Sequence, residues 1–153
     1  MKDYWLLIID NFVWNDKFLQ VKIAAVKATS SFLLAHEDEK VIIRQLSDCI
    51  LPLVQTVGFC IDQDNEELVL KCLIDLTEKC AQLLRPQFEQ IIEICLKALS
   101  NESKLDSVKH LVLEVIISLA ENAPSTFRKR GMKYFQPIGK LIKLSYILLI
   151  RFF

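Results

Sequence analysis

The sequence predicts an all-α fold, a HEAT- or armadillo-like solenoid of about three to four stacked helix pairs. The first observation is an apolar pattern that fits one face of an α-helix and occurs three times along the chain. These occurrences start at Val21, Val69 and Val108, and the offsets of about 48 and 39 residues lie close to the period of such repeats. The second observation is composition, because three Gly and four Pro in 153 residues leave too few turns for a β-rich fold.

Each occurrence of the pattern is the predicted inward face of one repeat helix. The three faces are Val21, Ala24, Ala25, Ala28 and Phe32; Val69, Cys72, Leu73, Leu76 and Cys80; and Val108, Leu111, Val112, Val115 and Leu119. The members of each face are spaced i, i+3, i+4, i+7 and i+11, so we expect them to share one side of a helix. The first helix is also apolar at Ile23, Val26 and Leu34, which is typical of a helix buried between neighbours.

Helices are expected at about 18–35, 39–60, 64–84, 87–99 and 105–121. Pro52 lies inside the second of these and predicts a kink or break near Ile50–Leu51. Asp64, with Glu67 three residues later, resembles a capping box at the start of the third. Pro86 precedes the fourth helix, where proline suits the first helical position.

The chain divides into three predicted regions. Residues 1–17 are interpreted as a partial leading helix, 18–130 as the solenoid, and 131–153 as a divergent basic and apolar C-terminal segment. That segment contains two glycines, one proline and the apolar run Leu144–Phe153. We expect it to pack less regularly than the repeats and to be mobile or self-associating, because a terminal repeat needs a polar outer face. The apolar run is too short to span a bilayer, so no membrane span is predicted.

Charge is distributed unevenly along the chain. Residues 1–121 hold all 19 acidic side chains and 12 basic ones, whereas residues 122–153 hold seven basic side chains and no acidic one. The basic cluster Arg128–Arg130, followed by Lys133, Tyr134 and Phe135, has a composition that could bind nucleic acid. A solvated helix start explains the same residues in a repeat protein, and we therefore predict no direct contact with nucleic acid.

The residues needed for catalysis or metal binding are not assembled in the sequence. Two histidines, His36 and His110, and five scattered cysteines form no recognisable set of nucleophile and base. The acidic loop Asp62–Glu67 lacks the glycine and the glutamate that a calcium loop requires. We therefore predict a protein that is not an enzyme and that uses no cofactor or metal. The cysteines are odd in number and form no C-x-x-C pair, so free thiols are expected, with Cys72 and Cys80 buried.

Three segments carry a family resemblance. They are VKIAAVKATSSFLLAHEDEK (21–40), LLRPQFEQIIEICLKALS (83–100) and LVLEVIISLAENAPSTFRK (111–129). Together they resemble the importin-β superfamily of nuclear transport receptors, and within it the N-terminal half of the importin-5, or karyopherin-β3, branch. Members of that superfamily have many more repeats than this chain, and the similarity fades beyond Gly131. The chain is therefore interpreted as a fragment, an isoform or a gene-model product.

The resemblance implies a function in protein import into the nucleus. The partners it implies are protein cargo with basic localisation segments, the GTPase Ran, and nuclear pore proteins, and the implied location is the cytoplasm and the nucleus. A generic HEAT-repeat scaffold or adaptor is an alternative, and so is a truncated product without independent function. Binding of a basic localisation peptide or of Ran would distinguish a transport receptor from a scaffold.

Candidate partner-binding residues lie opposite the core faces of the second and third repeat helices. They are Glu67, Lys71, Asp75, Glu78, Asp106, His110, Glu114 and Glu121. In a solenoid these helices are expected to line the concave face, and an acidic concave surface suits a basic partner. An ordinary solvated helix face would account for the same residues.

Overall fold

The computed structural model describes residues 19–64 and 66–125. These residues form seven α-helices and two short 3₁₀ turns, Ser47–Cys49 and Arg85–Gln87, and no strand lies among them. The helices are α1 (Leu19–Ala35), α2 (Lys40–Gln45), α3 (Ile50–Asp62), α4 (Glu66–Lys79), α5 (Ala81–Leu84), α6 (Phe88–Ser100) and α7 (Asp106–Asn122). None of the helices in this part of the chain is both long enough and apolar enough to cross a membrane.

The long helices form two layers. In one layer α4 packs against α1 on one side and against α7 on the other. In the second layer α3 packs against α6. Each of these helices also packs against the next long helix of its own hairpin, α3 against α4 and α6 against α7. The starts of α1, α4 and α7 are separated by 47 and 40 residues, which is the spacing of HEAT-type helix pairs. The predicted all-α repeat fold is confirmed.

The core lies between the two layers and uses the predicted faces of α4 and α7. Val69, Leu73 and Leu76 of α4 are almost inaccessible, as are Val112 and Val115 of α7. The second layer contributes the fully buried side chains of Val54, Val57, Phe88, Ile91 and Ile92. Burial of this apolar surface is the main source of stability in a helical stack.

The predicted inward face of α1 is wrong. Ala24 and Ala28 are exposed and Val21 is only partly covered, whereas Val26 and Leu33 are buried. The helix is rotated from the predicted orientation because it is apolar on several sides, and a larger side chain contributes more buried area than alanine. The rotation also buries Lys22, whose Nζ lies 3.7 Å from the centre of the Phe59 ring, in the range of a cation–π interaction.

The predicted break in the 39–60 segment exists, but it occurs about one turn earlier than Ile50–Leu51. Helix α2 ends at Gln45, a 3₁₀ turn covers Ser47–Cys49, and α3 begins at Ile50. Pro52 therefore lies in the first turn of α3, where a backbone amide has no acceptor within the helix. The predicted 64–84 helix is also divided, because Cys80 separates α4 from α5.

All five cysteines are free. Cys80 is buried, as predicted, but Cys72 is only half-buried, so the prediction of a buried Cys72 is wrong. Burial raises the pKa of the Cys95 thiol to about 12, and it raises that of Cys60 to about 11 against the opposing charge of Lys22. Burial also raises the pKa of Cys72 and Cys80. The predictions for residues 1–17 and 131–153 concern residues outside the described part of the chain.

Candidate partner-binding surface

The eight predicted partner-binding residues are all exposed and lie on two adjacent helices. Helix α4 carries Glu67, Lys71, Asp75 and Glu78, and α7 carries Asp106, His110, Glu114 and Glu121. Because α4 packs directly against α7, the two rows form a single surface, which we call the acidic surface. It holds six carboxylates and one lysine, so it attracts positive charge.

Within this surface Lys71 is paired with Glu67. Its Nζ lies 2.7 Å from Glu67 Oε1, across one turn of α4. The hydrogen bond from Lys71, together with its charge, lowers the pKa of the Glu67 carboxyl. The lysine is thus partly neutralised by its own helix, and the remaining carboxylates determine the sign of the surface.

An apolar residue interrupts the acidic surface and was not among the predicted residues. Ile117 is 57% exposed and lies three residues after Glu114 and four before Glu121, on the same side of α7. An exposed isoleucine within a charged row is typical of a contact site that combines apolar and polar interactions. In the sequence, its spacing of three residues from Glu114 and four from Glu121 indicates that it shares their side of the helix.

A groove of about 720 Å³ lies between the N-terminal halves of α4 and α7, beside the start of α1. Its lining residues are Ile23, Asp64, Glu66, Glu67, Leu68, Lys71, Leu105, Ser107, Val108, His110 and Leu111. The groove brings together Glu67, Lys71 and His110 from the predicted set. The other five predicted residues lie outside it.

A buried lysine joins the two loops that border this groove. Lys104, in the loop between α6 and α7, is buried, and its Nζ donates to the Ile61 carbonyl at 2.5 Å and to Asp64 Oδ1 at 2.5 Å. The same Nζ lies 3.5 Å from Glu66 Oε1. Burial alone would lower the pKa of Lys104, but the hydrogen bond to Asp64 and the charges of Glu66 and Asp64 outweigh it and raise that pKa.

The capping box predicted from Asp64 and Glu67 is wrong. Helix α4 begins at Glu66, and Asp64 lies before it with a left-handed φ of 56°. The Asp64 carboxylate accepts from Lys104, and the Glu67 carboxylate accepts from Lys71. Asp and Asn tolerate the left-handed region better than most residues, so this loop geometry agrees with the residue type. Its ion pair joins residues 40 apart in the sequence, so no local sequence pattern indicates it.

Buried hydroxyls align α4 with α7. The hydroxyls of Thr77 and Ser118 are hydrogen-bonded to each other at 2.8 Å. Asn122 Nδ2 donates to the Ser118 carbonyl at 2.9 Å and lies 3.3 Å from its hydroxyl. The Asn122 contacts lie within α7 and hold Ser118 in place, whereas the Thr77–Ser118 bond joins the two helices. Because buried hydrogen bonds are directional, that bond limits how far α7 can slide along α4. The relative positions of the two acidic rows follow from this alignment.

The chemistry that the surface offers is electrostatic attraction and hydrogen bonding. In the described part of the chain, no group of three or more His, Cys, Asp or Glu side chains is arranged to hold a metal ion. The acidic surface presents exposed carboxylates that can accept hydrogen bonds from lysine and arginine, and the groove adds apolar area beside them. This combination suits a basic, partly aliphatic protein segment.

Comparisons with known proteins agree with the repeat architecture. A family described as "IPO5-like, TPR repeats" matches residues 12–94, more than half of the chain. A "Probable importin-5 homolog" from Dictyostelium discoideum is 22% identical over 141 residues. That alignment covers 92% of this chain and 13% of the relative. The family match includes α4 and ends within α6.

Proposed function

The chain belongs to the family of importin-5-like repeat proteins, and on this premise we propose that it is part of a nuclear transport receptor that binds protein cargo with basic localisation segments. The main observation in support of this proposal is that the repeat helices α4 and α7 place six exposed carboxylates on one surface. The chain spans about an eighth of the length of the importin-5 homologue that it matches. Its part in transport is therefore to contribute a stretch of binding surface to a longer solenoid.

In this proposal the acidic surface recognises the cargo by its positive charge. Basic side chains meeting the acidic surface accelerate association and exclude acidic partners, while each exposed ion pair contributes little affinity. Several weak pairs spread over two helices therefore act together. A solenoid suits this role because its stacked repeats offer an extended face to a flexible segment.

Release of the cargo completes the proposed cycle. By family membership, the GTP form of Ran and the nuclear pore proteins are the other partners, and the protein moves between cytoplasm and nucleus. Differential affinity of two solenoid conformations for cargo and for Ran drives the exchange. No covalent step takes part in this proposal.

Charge reversal tests the cargo surface. The variant Glu78→Lys/Glu114→Lys should bind a fluorescein-labelled lysine-rich peptide about fivefold to tenfold more weakly at low salt, since two attractive sites become repulsive. The difference should shrink as ionic strength rises, because exposed charges are screened beyond about 8 Å at physiological salt. Fluorescence anisotropy measures both effects.

A matched control reverses the same number of charges elsewhere. Asp38 and Glu102 are exposed loop residues that lie outside the acidic surface, and Asp38→Lys/Glu102→Lys should weaken binding much less. Equal losses in the two double variants would indicate attraction by net charge alone. A chain that binds neither the peptide nor GTP-loaded Ran would support the generic scaffold instead.

A further inference from the structure

The groove between α4 and α7 contains a buried carboxylate with an unused acceptor. Glu66 is 7% exposed and lines the groove. Its Oε1 lies 3.5 Å from Lys104 Nζ, whereas its Oε2 is almost inaccessible to solvent and makes no hydrogen bond within the described residues. A buried charged acceptor without a partner is unfavourable. A donor supplied by a bound segment would therefore be stabilised at this atom.

The charge at the groove is one unit negative. Asp64, Glu66 and Glu67 contribute three carboxylates, and Lys71 and Lys104 contribute two ammonium groups. Both lysines are already engaged, Lys71 with Glu67 and Lys104 with Asp64 and Glu66. The complement of this arrangement is a single positive charge.

The apolar lining of the groove suits an aliphatic stem. Leu105 is 70% exposed and Leu68 is 41% exposed, and both line the groove with Glu66. A lysine side chain buries four methylene groups against apolar surface and ends in a compact ammonium group. The planar fork of arginine is matched to two free carboxylate oxygens, and here Oε1 already faces Lys104.

We propose that the groove is a subsite for one lysine side chain of a bound protein segment, a proposal that rests on the function proposed above. The Glu66 side chain rotates to bring Oε2 to the groove, the incoming ammonium donates to that atom, and the stem lies against Leu68 and Leu105. The acidic surface attracts positive charge along its whole length. The subsite gives one lysine of the segment a defined position.

Two matched pairs of variants test the subsite in the full 153-residue chain, with the same labelled lysine-rich peptide as the probe. Glu66→Gln should weaken binding about tenfold, because a hydrogen bond between two charged groups is lost. Glu114→Gln removes the same charge from the acidic surface outside the groove and should weaken binding less than about twofold. Glutamine keeps the size of the side chain and an oxygen for Lys104, and circular dichroism checks that the fold is retained.

The second pair does not depend on a buried residue. Leu105→Ala should weaken binding about threefold through lost apolar contact, while Val41→Ala, at an equally exposed residue of α2 outside both the groove and the acidic surface, should leave it within experimental error. Both side chains are largely exposed, so neither change disturbs the core.

The outcomes separate the subsite from the transport function. Equal losses for Glu66→Gln and Glu114→Gln, or for Leu105→Ala and Val41→Ala, would overturn the subsite. If reversal of Glu78 and Glu114 still weakens binding in that case, cargo recognition by the acidic surface stands. A wild-type chain that does not bind the peptide at all would overturn both.

Discussion

The two junctions between neighbouring repeats, α1 with α4 and α4 with α7, are built differently. At the second junction Thr77 and Ser118 are hydrogen-bonded in the core, and Lys104 ties together the loops that precede α4 and α7. At the first junction the described contacts are mainly apolar, with Val26 and Leu33 of α1 in the shared core. The α4–α7 junction is held by directional contacts, whereas the α1–α4 junction depends largely on the apolar area that it buries.

This difference indicates which part of the surface has a defined geometry. Apolar burial is non-directional, so a helix can rotate or slide with little change in buried area. Hydrogen bonds and buried ion pairs require particular positions. The acidic surface and the groove both lie at the directional junction, and their geometry is therefore held by Thr77, Ser118 and Lys104.

The outward faces of the two junctions differ as well. The exposed residues of α1 include Gln20, Ala24, Lys27, Ala28 and Ser31, and the helix contains no carboxylate. Helices α4 and α7 together expose the six carboxylates of the acidic surface. The negative potential is therefore concentrated at the junction where buried polar contacts set the alignment.

The largest effect is expected from removing the buried cation. Lys104→Met keeps the apolar stem but leaves the Glu66 carboxylate without its cation, so the free energy of unfolding should fall by about 3 kcal/mol. Urea unfolding followed by circular dichroism measures it. The control is Lys97→Met, because the Lys97–Asp62 ion pair, at 2.6 Å, is exposed. That variant should change stability by less than about 0.5 kcal/mol, and an equal loss would show that burial of Lys104 is unimportant.

Wild type and Lys104→Met also test how the contribution of Lys104 to stability depends on pH. The pKa of Lys104 in the folded state is raised above its ordinary value of 10.5, because its bonds to the carboxylates outweigh desolvation. A raised pKa stabilises the folded state below that ordinary value, and the contribution is lost as pH rises through the folded-state pKa. The stability difference between wild type and Lys104→Met should be constant up to about pH 10.5 and should shrink above it.

A smaller effect is expected from the hydroxyl contact between α4 and α7. Thr77→Val keeps the side-chain volume but removes both the bond to Ser118 and the bond to the Ile74 carbonyl within α4, so the free energy of unfolding should fall by about 1 to 2 kcal/mol. Thr56→Val is the control, because the buried Thr56 hydroxyl donates only within its own helix, to the Pro52 carbonyl at 2.8 Å. The two losses should differ by about 1 kcal/mol. Identical losses would remove the distinction between the junctions.

The smallest effect concerns the neutral face of α1. Lys27→Glu places a carboxylate on the exposed side of α1, next to α4, and should strengthen binding of the lysine-rich peptide by about twofold. Anisotropy at low salt measures the change, and Lys27→Gln separates loss of the positive charge from gain of a negative one. Unchanged binding by Lys27→Glu would place the cargo away from α1.

The sequence predicts α4 and α7 better than it predicts α1, for a physical reason. On α4 and α7 charged residues occupy the side opposite the apolar face, so periodicity identified most of the core face, apart from the half-buried Cys72 and Leu111, and correctly placed the eight polar residues on the exposed side. On α1 apolar residues such as Ile23 and Val26 lie on several sides, and the pattern did not determine which side faces the core. Proline and loop positions located the break near Pro52 to within about one turn.

The groove and its ionic cluster could not be predicted in this way. Lys104 is about 40 residues from its carboxylate partners, and an isolated lysine in a loop is normally solvated. Nothing in the local pattern of Asp64 distinguishes an acceptor for Lys104 from a helix cap. These contacts arise only when one hairpin stacks on the next.

The sequence by itself determined the helical repeats, the core faces of α4 and α7, and the acidic character of their outer rows, because helical periodicity is a local property encoded every three to four residues. The tertiary structure alone decided the rotation of α1, the burial of Lys104 and Glu66, and the groove beside them. Those features depend on how much area each packing arrangement buries and on which distant charges come within hydrogen-bonding distance. Stacking of the hairpins is the step that brings these groups together.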